Sequence, residues 1–231
     1  MKRLIAVVAG VLVVAGAGVW FFFLRSDAPP PVSLEGAVGT TAPGATTADA
    51  AVGGTVEGVW VIASGSDSFV GYRIGERLAS IGVQDAVGRT SQVTGMLQIE
   101  GTSVTAVSME ADLASLESDS AQRDRRLRSA GLETDTFPTA AFVLTAPIAL
   151  GEIPTEGVPL TATARGDFTL HGVTRPVEIP VEAQLSGGAI VVVGSLQVTL
   201  TDYGITAPTG FSVLSIDESG AMEFQLFFSP E

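Results

Sequence analysis

His171 is the single histidine of the chain, and it stands directly before Gly172. As the lone histidine it would have to be the general base of any Ser-His-Asp arrangement. Serine and aspartate are plentiful, but no G-x-S-x-G elbow falls between a strand and a helix. A His-Gly pair in a hairpin loop fits better as a turn residue bonding nearby backbone. With no cysteine, thiol catalysis, disulfides and Cys/His zinc sites are excluded. No D-x-D-x-D-G calcium-loop spacing occurs. A second candidate is Arg123-Asp124-Arg125-Arg126-Leu127-Arg128, with four arginines in six residues. Such a cluster could meet a phosphate or carboxylate head group, or form ion pairs along a solvated helix face, Asp124 with Arg128 at i, i+4. The second use is the commoner one. The carboxylate pairs Glu110/Asp112 and Glu178/Glu182 lie on polar strand faces, which points to solvent rather than to a shielded acid/base dyad.

Charge narrows the partners. The formal charge is −13, and beyond Arg25 there are 25 acidic residues against nine arginines. A chain this acidic, without a basic stripe interleaved with aromatics, argues against nucleic-acid binding. It should also be repelled by an anionic membrane surface.

Periodic segments along the chain must position these groups. Residues 160–170 and 177–185 alternate apolar and polar with period two, and residues 171–176 between them, with Gly172 and Pro176, read as a loop. This is an antiparallel hairpin with one apolar face. Further alternation marks Val70-Tyr72-Ile74, then one long strand from Val87 to Ile99 that is bulged at Gly88 or Gly95. It continues through Val107–Leu113, Phe142–Ala146, Ile190–Leu200 and Met222–Phe228. Eight mostly antiparallel strands suit a closed barrel or a sandwich. Residues 118–130 read as the one short helix of this domain, with Ser118 or Asp119 as N-cap and Gly131 as stop.

Residues 4–24 carry no charged or strongly polar side chain, and as a helix they would be about 31 Å long, enough to span a bilayer. Lys2 and Arg3 precede the run, which holds the N-terminus in the cytoplasm. Ala15-Gly16-Ala17 has the small residues of a signal-peptide cleavage site, but the apolar run continues seven residues past it. An uncleaved signal-anchor is therefore expected over residues 1–25. Residues 26–57, rich in Ala, Gly, Thr and Pro, read as a flexible tether without secondary structure, and residues 58–231 as the barrel domain.

The inward set mixes phenylalanines with Ala111, Ala162, Ala164, Gly166 and Gly194. Small residues opposite large ones either interdigitate or leave room, and an eight-stranded barrel can be filled or hold one small ligand. By size and alternation, Tyr72, Met109, Phe142, Phe168, Leu196, Phe224 and Leu226 are the candidates for lining such an interior.

Three ordered blocks bring a resemblance. Arg123-Asp124, Leu127-Arg128-Ser129, Phe137-Pro138 and Phe142 resemble an RD-x-x-LRS…(F/Y)P-x-x-x-F block. Residues 166–177, GDFTLHGVTRPV, are similar to a G-x-L-T-L-H-G-V-T-K-P-V hairpin, and Asp202-Tyr203-Gly204-Ile205 resembles a D-F-G-I segment. Together they resemble the YceI-like lipid/polyisoprenoid-binding domain. Arg126 stands where that family often has His, and Leu132-Glu133 replaces an expected aromatic pair. The resemblance implies an all-β, extended lipocalin-like eight-stranded antiparallel barrel whose apolar channel holds an isoprenoid or other long-chain amphiphile. It implies no catalysis and no further cofactor, and it makes Arg123, Asp124 and His171 structural signatures or head-group contacts. The resulting expectation is a single-pass membrane protein of the cell envelope, its barrel extracytoplasmic, enclosing a quinone or polyprenyl chain. The alternative is a scaffold or adhesion module with a filled core. An enzyme would need His171 or a carboxylate pair in a cleft. The sequence identifies no protein partner.

Overall fold

A computed structural model of the chain describes residues 28–39, 56–79, 82–208 and 213–231. The apolar run at residues 4–24 lies outside the described residues, as do residues 40–55 of the segment read as a tether. Among the described residues no helix is long and apolar enough to cross a membrane.

Among the described residues thirteen strands form one sheet: β1 (Gly58–Ile62), β2 (Phe69–Leu78), β3 (Gly82–Thr90), β4 (Val93–Glu100), β5 (Ser103–Asp112), β6 (Glu117–Ser118), β7 (Thr139–Leu144), β8 (Ile148–Ala149), β9 (Leu160–Leu170), β10 (Val173–Ser186), β11 (Ala189–Thr199), β12 (Val213–Ile216) and β13 (Ser219–Pro230). Eight of them close a ring in the order β1-β4-β5-β7-β9-β10-β11-β13 and back to β1. The long β13 serves two neighbours. Its last residues pair with β1, at Ile62↔Phe228, and its first with β2, at Ala221↔Arg73. Strand β2 then continues into β3, β6 and β12, a wing that extends the barrel wall at one end.

Several expectations are corrected. The stretch Val87–Ile99 is two strands, β3 and β4, belonging to different parts of the sheet. Between them Gln92 N–H donates to the Thr90 hydroxyl and Val93 N–H to the Ser91 carbonyl. Val87 and Val93 are an even number of residues apart, so alternation runs unbroken across a turn that lacks Gly and Pro. The register shift lies at Gln98/Ile99, not at Gly88 or Gly95. Strand β1, outside the eight expected strands, closes the ring, and β2 lies in the wing rather than the ring.

The connection between β9 and β10 is shorter than the six-residue loop expected. Leu170 pairs with Val173, leaving His171 (φ 51) and Gly172 (φ 71) as a two-residue turn. Positive φ at both positions is the geometry that follows the twist of a hairpin. Pro176 and Pro180 lie within β10. They are tolerated because β10 pairs with β11 only from Val181 onward, so their missing N–H groups face an unpaired edge.

Helix α1 (Leu34–Gly39) falls in the segment expected to carry no secondary structure. Leu34 and Ala37 bury against Val191, Val193 and Phe227 on the outer face of β11 and β13. Burial of Leu34 alone is worth about 2 kcal/mol. Upstream, the Pro29 carbonyl accepts from Arg73 Nη2 at 2.7 Å and the Pro30 carbonyl from Arg89 Nη2 at 3.4 Å. Residues 28–39 are therefore a strap along the barrel. Helix α2 (Ala121–Ser129) is the expected helix, but its N-cap is Ser120, whose hydroxyl accepts from Arg123 N–H at 3.4 Å. Ser118 belongs to β6 instead.

The main core lines the barrel and continues under the wing. Within it large side chains fold onto glycines of the neighbouring strand. The Phe224 ring occupies the space a side chain at Gly194 would need, and Phe142 does the same at Gly166. Gly194→Ala is expected to destabilise the fold by about 1–3 kcal/mol through overpacking, read from urea unfolding. A neutral result would show that the Phe224 ring is free to move aside.

Candidate functional site

Among the described residues two apolar cavities lie in the interior. The larger, about 320 Å³, lies at the wing end between β2, α2 and the end of β9. The smaller, about 170 Å³, lies in the ring itself. Val70, Ala140, Phe168 and Met222 line both, so the cavities adjoin at a common waist. Phe168 is 3% exposed and meets the buried Tyr203 edge-on, with ring centroids 5.7 Å apart. That contact, the hairpin turn and the pairing Phe142↔Phe168 hold the waist residue in place.

The residues expected to line an interior are distributed as follows. Tyr72 lines the larger chamber, Met109, Phe142, Phe224 and Leu226 the smaller, and Phe168 both. Leu196 is buried in the same core opposite Met222 but lines neither chamber. Tyr72 lies over Gly88 and Met109 over Gly95, as Phe142 and Phe224 lie over Gly166 and Gly194. Between interdigitating and leaving room, the small residues do both. They accept the large side chains flat against the wall, which keeps those rings out of the lumen.

Sequence reasoning missed the polar group beside the larger chamber. Glu76 sits on the inward face of β2 with its side chain 4% exposed, and Arg123 Nη2 reaches its Oε1 at 2.6 Å. Gln84 donates to the same oxygen at 3.0 Å. Arg123 also donates to Ser118 Oγ at 3.1 Å and to Asp119. Burial works against the charge of Arg123, but the bonds to Asp119 and Glu76 outweigh it and hold the guanidinium above its ordinary pKa. Asp124 does not pair with Arg128; it takes the backbone N–H and hydroxyl of Ser118, at 3.1 and 2.6 Å, and so ties α2 to β6. Burial pushes the Tyr72 phenol up. Among the described residues its hydroxyl makes no hydrogen bond of good geometry. Ser118 Oγ is nearby but is already engaged by Asp124, Arg123 and the Ser120 N–H.

His171 is a staple. Its Nδ1 donates to the Tyr203 carbonyl at 3.0 Å, its Nε2 meets the Glu133 carboxylate at 2.8 Å, and the Phe137 ring lies 4.3 Å from its own. It thereby joins the β9–β10 turn to the loop after α2 and to the turn at Leu200–Tyr203. Both nitrogens are engaged, and neither faces a serine. The carboxylate pairs are also occupied elsewhere: Asp112 caps the turn at Ala114, and the exposed Glu178 pairs with Arg165 at 2.9 Å. Among the described residues no group of three or more His, Asp or Glu side chains is placed to hold a metal ion.

A closed antiparallel ring of eight strands around an apolar, two-chambered interior defines a cavity-bearing β-barrel. The chain belongs to the YceI-like domain family, whose model matches residues 60–228. A UPF0312 protein of Shewanella denitrificans is 32% identical over 142 residues, covering 58% of this chain and 71% of the relative. A UPF0312 protein of Pseudomonas putida is 43% identical over 72 residues, and there the chain spans only 34% of the relative's length. Among solved structures, a polyisoprenoid binding domain from Saccharophagus degradans, implicated in plant cell wall breakdown, matches with TM-score 0.55 at 15% identity, over 75% of this chain and 98% of that one. BcnA of Burkholderia cenocepacia matches with TM-score 0.53 at 18% identity, over 69% and 95%. At these identities the likeness is one of fold.

Proposed function

We propose that the protein encloses an isoprenoid-type chain, such as the tail of a quinone or a polyprenyl carrier, and that residues 1–25 anchor it in a membrane with the barrel on the extracytoplasmic side. The observation that carries this reading is the pair of adjoining apolar chambers with a shared waist. Their combined size falls among small-molecule sites of about 300–1,000 Å³, and their succession along the barrel suits a long, thin ligand. Each enclosed CH₂ would contribute about 0.8 kcal/mol. The family match and the polyisoprenoid-binding domain among the fold relatives support the ligand class. The anchor rests on the apolar run and the basic residues before it.

The test is mass spectrometry of the chain from Ala28 onward, which retains the strap, purified without detergent. Added mass that solvent extraction resolves into an isoprenoid chain is the expected result. A bare mass that persists after incubation with ubiquinone and polyprenyl phosphate overturns the reading and leaves a scaffold with internal voids.

A further inference from the structure

The strap fixes the end of the barrel at which the described chain begins. On β2, Arg73 pairs with Ala221 of β13 and Gly71 with Glu223, while α1 rests on Phe227. Arg89, whose strand position is opposite Gly71, holds Pro30. The strap therefore runs alongside β13 from the wing toward the far end of the barrel, and the chain arrives at the wing first. Only residues 25–27 separate the apolar run from Ala28. Five residue steps, from Leu24 to Pro29, span at most about 18 Å. The tip of the wing extends five residues beyond Arg73, to Leu78, which is about 17 Å of strand. A chain of that reach is long enough to bring the end of the apolar run level with the tip.

The wing tip has the surface such a position calls for. Val83 and Leu214 are 72% and 56% exposed, on the two strands that flank the end of β2. Beside them Leu78, Val213 and Ile216 line the larger chamber. Helix α2, held to β2 by Arg123 and Glu76, borders the same chamber through Arg126. Arg125, Arg126 and Arg128 form no ion pair with another described residue. Exposed aliphatic side chains beside unpaired arginines make an interfacial surface, apolar into the head-group region and cationic toward lipid phosphates. The rest of the chain is strongly acidic, and its repulsion from anionic lipid favours meeting the bilayer by this end.

We propose that the tip of the wing and the arginines of α2 form a rim that docks on the bilayer from which the chain emerges, with the larger chamber opening toward the lipid. A ligand tail then passes between bilayer and chamber without crossing water. This rests on the membrane anchor proposed above, and the experiment separates the two.

The chain has no cysteine, so single-cysteine variants label cleanly. Val83→Cys, Leu214→Cys and, as the far-end reference, Ile153→Cys are all at exposed positions, which spares the fold. Ile153 lies beside the smaller chamber, between Ile148 and Pro154, which line it. Each full-length variant is labelled with an environment-sensitive fluorophore and reconstituted into phosphatidylcholine vesicles containing a minority of phosphatidylglycerol and a nitroxide-bearing lipid. The expected result is sedimentation with the vesicles and quenching several-fold stronger at positions 83 and 214 than at 153. A chain that sediments but is quenched equally at all three positions, or most at 153, overturns the docking alone. A chain that stays in the supernatant overturns the anchor and the docking together.

Discussion

Ala140→Phe is expected to lower affinity for a long isoprenoid about a hundredfold while leaving a ligand short enough for the larger chamber bound as before. Ala140 is 7% exposed on β7, opposite Ala111, and is the smallest of the four residues at the waist. A ring there meets Phe168 and Met222 and closes the passage between the chambers. A hundredfold loss is about 2.7 kcal/mol, the worth of three to four CH₂ groups returned to water. The ring projects into a void, so the destabilisation should stay at or below about 1–3 kcal/mol. Competition of ubiquinones with long and short tails, followed by native mass spectrometry, measures the effect. Equal loss for both tails would show that the chambers do not act as one tunnel.

The second large effect is expected at Arg123. Arg123→Met leaves the Glu76 carboxylate buried without its cation, which should cost about 3–5 kcal/mol. The double variant Glu76→Gln with Arg123→Met removes both charges and should recover most of that loss, because burying two charges is itself expensive. In the chain from Ala28 onward Trp60 is the only tryptophan, and its indole is buried in the core with Nε1 donating to the Val56 carbonyl at 2.9 Å. Its fluorescence during urea unfolding therefore reports the whole fold. If the single variant matches wild type, the Glu76–Arg123 pair is not what fastens α2 to the wing, and the bonds of Asp124 to Ser118 carry that role alone.

These two expectations depend on features of different legibility. Phe142, Phe168, Phe224 and Leu226 could be assigned to the interior because a strand sends alternate side chains to opposite faces whatever it pairs with. Helix α2 was legible for a similar reason: its helix formers and its stop at Gly131 are local signals. Glu76 was not, because the cation that balances this inward carboxylate is Arg123, 47 residues away. His171 meets Glu133 across 38 residues, and no spacing rule connects them. The strap was hidden differently. A short Ala- and Gly-rich helix has little propensity of its own, and α1 is held by the apolar outer face of β11 and β13, where Val191, Val193 and Phe227 break the expected polar-out pattern.

From sequence alone came the class of fold, most strand faces, the arginine helix and the family blocks at residues 123–142, 166–177 and 202–205, because periodicity, caps and turn residues act over a few positions. Tertiary structure decided where Val87–Ile99 breaks into two strands, which strand closes the ring, how glycines draw large side chains onto the wall, and that two chambers remain between them. Register and closure bring together residues far apart in the chain, and the space left inside a barrel is a property of all its strands at once.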